Sequence, residues 1–228
     1  MGIGSLHGTL HAITSVQPHL PGGAAVLVGA AALGAATLPG ISQVTQHVNT
    51  MAHEGAHAAV GSALGQKVTG VSLRGNGEGR TTMAASGAAG YIVAGVVGYL
   101  GPSAFGLGAA KLIEVGHAIA VLWLALAALA LLAVAARRSG FGLAAVAVLA
   151  TGLFLVVRYA PIGAEVAVAY GIAWYLLLSG VQVVLSHGRD AGDAFALRQL
   201  TRVPRGMWAA LWLAGSVAAL IVGARLLI

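Results

Sequence analysis

The chain has 228 residues, 58% of them hydrophobic and 8% charged, with a mean hydropathy of +0.90 and a formal charge of +6. Soluble domains carry about 25% charged residues, so a water-exposed globule is excluded, and the absence of cysteine excludes disulfides and thiolate metal sites. The excess of Lys and Arg reads as loops facing an anionic cytoplasmic leaflet rather than as a nucleic-acid surface.

Residues 1–23 contain His7, His11 and His19 with Pro18 and Pro21 and read as a short interfacial segment with no assigned site. The first charged side chain is Glu54, so the basic n-region of a secretory signal is missing. Residues 24–228 then form one membrane-embedded domain. A spanning helix needs about 20 mostly apolar residues, and the candidates are 24–38, 41–64, a stretch within 81–110, 117–136, 141–157, 162–186 and 207–227. The first is short and ends at Pro39-Gly40, so it either tilts, thins the bilayer or forms half of a hairpin. The expected fold is an all-α polytopic membrane protein, a bundle of six to seven transmembrane helices with a small cytoplasmic β-hairpin.

The hairpin is expected over about 67–83, where Val71 and Leu73 alternate with polar neighbours ahead of the turn cluster Gly75-Asn76-Gly77-Glu78-Gly79. The next segment carries Gly90, Ala94 and Gly98 on one helical face, which suits close helix approach. Gly98–Gly108, "GYLGPSAFGLG", adds Pro102 and predicts a kink or break, which would leave a cavity beside His53, Glu54 and His57.

Seven crossings would place Lys67, Arg74, Arg80, Arg137, Arg138, Arg189, Arg198, Arg202 and Arg205 on one side and only Lys111, Arg158 and Arg225 on the other. By the positive-inside rule the richer side is cytoplasmic, with the N-terminus inside. Losing the first crossing would move only the N-terminus.

The stretch "NTMAHEGAHAAVGSALG" carries His53, Glu54 and His57. His53 and His57 are one helical turn apart and project from the same face, so two ring nitrogens can reach one cation at about 2.0–2.1 Å. Glu54 beside them completes the H-E-x-x-H pattern of two ligands and a general base. An ionised Glu at mid-helix in a bilayer costs at least about 2.5–3.5 kcal/mol, a cost that a divalent cation offsets. The competing account is a buried His–Glu pair locking two helices. A catalytic zinc wants a third protein ligand and an open position. On the same side as His57 the candidates are His187, Asp190 and Asp193. Glu165 stands near the opposite end of its helix, Asp190 beside Arg189 resembles a solvated loop acid, and Asp193 opens the helical turn "DAFALRQL".

Together these residues resemble the site-2 protease family of intramembrane zinc metallopeptidases, in particular its compact bacterial multi-pass branch. The resemblance rests on "HEGAHAAVGSALG", the Gly-rich hairpin after it, "AGYIVAGVVGYLGPSAFGL" and "GDAFALRQLTRVPRGMWAALW", in order over about residues 45 to 225. It implies a bound Zn2+ held by His53, His57 and an aspartate, with Glu54 as the catalytic base and transmembrane proteins in the bilayer as substrates. The aspartate carries over to Asp193, which heads the matching Asp-Ala-x-x-Leu segment. The Leu-Asp-Gly motif of better-known members and their PDZ-like insertion have no counterpart here. The alternative is a non-proteolytic metal-binding membrane protein, a carrier or helix-binding partner. A carrier would use further ligands such as Glu114 and His117, which read more simply as an interfacial turn with Lys111, and no inverted repeat supports it.

Overall fold

The structure is a computed structural model that describes residues 11–84, 87–188 and 192–228. In chain order it contains α1 (Gly22–Thr37), α2 (Ile41–Ala63), β1 (Val68–Leu73), β2 (Gly79–Met83), α3 (Ala88–Glu114), α4 (Ala118–Ala135), α5 (Gly140–Tyr159), α6 (Ile162–His187), α7 (Gly192–Thr201) and α8 (Arg205–Leu227). Among the described residues five helices are long and apolar enough to cross a membrane, and a sixth span arises if α1 and α2 count as one. The chain is therefore a helical membrane protein with a two-stranded antiparallel sheet.

The first two expected crossings are not two straight rods. α1 and α2 meet at 97° across Leu38-Pro39-Gly40. Proline cannot donate a backbone hydrogen bond and disfavours helix in the residue before it, and Gly40 takes φ 82°. The elbow is tied by Thr45, whose hydroxyl donates to the Ala35 carbonyl at 2.7 Å. Tyr175 on α6 in turn donates to the Thr45 carbonyl. At its other end α2 closes in a Schellman turn. Gly65 at φ 73° lets Gln66 N–H reach the Gly61 carbonyl at 2.8 Å, which satisfies an end carbonyl that a bilayer would leave bare.

α3 is the central helix and packs on α2, α4, α6, α7 and α8. The expected break at Pro102 does not occur: α3 runs unbroken from Ala88 to Glu114 with Pro102 inside it and fully buried. Tight packing on several sides holds the helix together there. The proline still deprives the Gly98 carbonyl, four residues earlier, of its usual N–H partner. Small residues bring the neighbours in. A Cβ on Gly101 would lie 2.4 Å from Ala56 Cβ on α2, and one on Gly106 would lie 2.9 Å from Leu177 on α6. The main core, with Ile113, Leu122, Tyr170 and Leu177 fully buried, joins α3, α4 and α6. Outward faces of α4 and α5 are apolar and exposed at Leu131, Val134 and Val148, as a lipid-facing surface requires.

The hairpin lies where expected. Arg74 N–H reaches the Glu78 carbonyl and Gly77 N–H the Arg74 carbonyl, with Gly77 at φ 88°, a three-residue loop closed by a left-handed glycine. Val71 pairs with Thr81 and Leu73 with Gly79. Since Arg74 and Glu78 form a hydrogen-bonded pair, alternation makes these two pairs non-hydrogen-bonded, with their main-chain groups turned away from each other's strand. Leu73 shows this directly. Its N–H and carbonyl meet the Ser139 hydroxyl, each at 3.2 Å, so the outer rim of β1 is capped. The outward main-chain groups of Gly79 and Thr81 on β2 have no backbone partner among the described residues. One face of the sheet, with Val71 and Leu73 buried, rests beside Met51 of α2.

Candidate metal centre

α2 presents His53 and His57 from successive turns, and the start of α7 presents Asp193 from 136 residues further along the chain. The three converge. His53 Nε2 and His57 Nε2 lie 3.0 Å apart, and Asp193 Oδ2 stands 3.2 Å from each. Among the described residues this is the one group of three such side chains able to hold a metal ion.

Asp193 is placed by its helix. Ala194 and Leu197 of α7 are buried with Trp212 of α8 and Val184 of α6, and Leu197 also fills the space beside Gly95 of α3. That anchorage turns the first residue of the helix inward. Burial works against the charged form of Asp193, but hydrogen bonds and charge from His53 and His57 outweigh it and hold the carboxyl below its ordinary range. A carboxylate is thus available as a ligand.

The donor geometry fits a small divalent cation. Tetrahedral ligands at about 2.0–2.1 Å from an ion stand roughly 3.3–3.4 Å from one another, close to the 3.0 and 3.2 Å edges of this triangle. His57 Nδ1, the ring nitrogen turned away from the cluster, is buried and has no hydrogen-bond partner among the described residues. Side-chain exposure rises from 9% at His57 through 16% at His53 to 27% at Asp193, so the cluster opens on its aspartate side.

Glu54 is buried and lies outside the triangle. Its carboxylate Oε2 accepts a hydrogen bond of 2.6 Å from the Thr81 hydroxyl on β2. Gly79, on the same strand face, leaves no room for a side chain: a Cβ there would lie 2.7 Å from Glu54 Cγ and Oε1. On the other side, His53 meets the edge of Tyr99 at 4.8 Å between ring centroids, and Tyr99 stacks on Trp212 at 4.5 Å. Trp212 is fully buried and donates its indole N–H to the Val96 carbonyl at 3.0 Å.

Four of the sequence candidates thus gather here, and others do not. His187 ends α6 on an exposed surface and Glu165 lies in the first turn of that helix, neither in the cluster. His11 and His19 are exposed. Lys111 forms an ion pair with Glu114, and neither Glu114 nor His117 belongs to the cluster. His7, Arg189 and Asp190 lie outside the described residues. Thr81, Tyr99, Trp212 and the close approach of Gly98 to the imidazoles were not foreseen. The only available signal was strand alternation, which puts Gly79 and Thr81 on one face.

No curated protein and no solved structure matches the chain. A family model described as Peptidase M50B-like matches residues 26–223, which takes in the bent helix pair, the hairpin, the His/Asp cluster and nearly all of α8. The chain belongs to the Peptidase M50B-like family, a family of peptidases.

Proposed function

We propose that the protein is an intramembrane zinc metalloprotease that hydrolyses peptide bonds of transmembrane protein segments near the cytoplasmic face. The observation that carries this reading is the convergence of His53, His57 and Asp193 from chain-distant elements, with Glu54 in the residue next to His53. His53, His57 and Asp193 would hold the zinc. When bound, zinc supplies Lewis acidity and brings a water pKa down toward about 7.

The remaining work falls to side chains of this chain. Glu54 acts as the general base, with Oε1 free to take a proton because no donor among the described residues reaches it. Burial of Glu54 and His57 keeps bulk water from competing for these groups. A helical substrate hides its carbonyls in hydrogen bonds and must unwind locally. The unpaired rim of β2 offers main-chain partners to the extended segment so formed, on the strand that touches Glu54. The excess of Lys and Arg on the loops around the hairpin and α7 supports the reading of that face as cytoplasmic. Counting α1 and α2 as one bent span changes only the side of the N-terminus.

The test is Glu54→Gln. Purified Glu54→Gln protein is expected to keep one zinc per chain while cleavage of a co-expressed single-pass substrate disappears, and the uncleaved substrate co-purifies. Cleavage retained in Glu54→Gln overturns the proposal.

A further inference from the structure

We propose that Thr81 is a positioning residue for Glu54, so that the strand receiving the substrate also aims the general base. This rests on the reading of Glu54 as that base.

Glu54 has one short contact to its carboxylate. The Thr81 hydroxyl stands 2.6 Å from Oε2 and 3.1 Å from the Glu54 backbone oxygen. A hydroxyl has one proton to donate, and the shorter contact, to the charged acceptor, takes it. Oε2 is thereby committed and Oε1 remains for the water. Gly79 closes the other side. A Cβ on Gly79 would lie 2.7 Å from Cγ and Oε1, so the strand backbone stands close beside the Glu54 side chain and limits its rotation. A third tie holds strand and helix in register, since the Thr50 hydroxyl, one turn before Glu54, donates to the Gly77 carbonyl at 2.7 Å.

Thr81 faces two ways. Its side chain reaches Glu54, while its main-chain N–H and C=O point out from the β1 pairing toward the free rim. A peptide adding to that rim bonds to Thr81 itself, which fixes the residue whose hydroxyl orients the base. An empty rim leaves β2 held by β1 and by its side-chain contacts to α2 alone. Substrate docking and base alignment are thus coupled through one residue.

Thr81→Val keeps the shape of the side chain and removes the donor. It is expected to lower kcat by roughly 10²-fold, the usual penalty for a misplaced catalytic group, with KM and bound zinc per chain unchanged. Thr81→Ser restores the hydroxyl and most of the rate. The hydrogen bond is also read without turnover. The carboxylate infrared band that disappears in Glu54→Gln should shift in Thr81→Val and return in Thr81→Ser. An unshifted band, an unchanged kcat in Thr81→Val, or parallel loss of zinc and rate in both Thr81 variants overturns the inference. Cleavage surviving in Glu54→Gln would instead overturn the general-base reading, while the infrared comparison still reports on the Thr81 contact.

Discussion

Gly98 of α3 touches His57 of α2 so closely that a Cβ at Gly98 would lie 2.4 Å from His57 Nε2 and 2.9 Å from His53 Cε1. Helix packing and the placement of the two imidazoles are the same contact at this point. The small-residue face of α3 serves as the floor on which both imidazoles rest. A methyl group there must displace the rings or separate the helices. Gly98→Ala is expected to reduce bound zinc at least tenfold and abolish cleavage. Gly108→Ala, on the same helix with nothing near its Cβ, should leave both intact. Metal analysis of the two purified variants makes the comparison.

Removal of the metal should be visible in stability, because a cation bound only by the folded state stabilises it by mass action, about 4 kcal/mol at a thousandfold excess over its dissociation constant. A chelator is therefore expected to lower the unfolding midpoint of the wild type in detergent and to leave Asp193→Ala unmoved. Equal shifts in both would remove Asp193 from the ligand set.

Gly79→Ala addresses the other wall. Its Cβ would lie 2.6 Å from Thr50 Cγ2 and 2.7 Å from Glu54 Oε1, so the strand must lift away from α2. Cleavage should fall by about 10²-fold with zinc retained, since the atoms nearest that Cβ belong to Thr50 and Glu54 and not to the histidines. Rate and metal content measured on one preparation separate this effect from that of Gly98→Ala.

Trp212→Ala removes a fully buried side chain, the platform under Tyr99 and the hydrogen bond to the Val96 carbonyl. Large-to-small changes of this kind cost about 3–5 kcal/mol. Reversible denaturation should show that loss, and Trp212→Phe, which keeps an aromatic face, should show less. Weaker zinc binding in Trp212→Ala is expected as well, because His53 leans on the Tyr99 ring.

Much of this architecture was legible in the residues themselves. Long apolar runs marked the spanning helices because a bilayer admits few other structures. The four-residue interval between His53 and His57 put both rings on one face, and the glycine cluster at 75–79 marked the hairpin. Asp193 opens the helical turn "DAFALRQL" and heads the segment that carries the family resemblance, but the burial of Ala194 and Leu197 that turns it inward is visible only in the fold. What local pattern does not carry is the meeting of distant segments. Nothing near Thr81 in sequence names Glu54 as its partner, and nothing near Gly98 distinguishes a helix neighbour from an imidazole. The elbow at Pro39 and the continuity of α3 through Pro102 show the same limit. Both prolines remove a backbone hydrogen-bond donor, and only the surrounding packing decides which of them ends a helix.

The 136-residue interval between His57 and Asp193 has a consequence for biosynthesis. As the polypeptide leaves the ribosome and enters the bilayer, both histidines and their glutamate are already in place while the acid that completes the triangle is still unmade. In the proposed zinc site the third ligand is therefore missing through most of the chain's own insertion. The triangle closes only when the penultimate helix docks, so completing the fold and completing that site are one event.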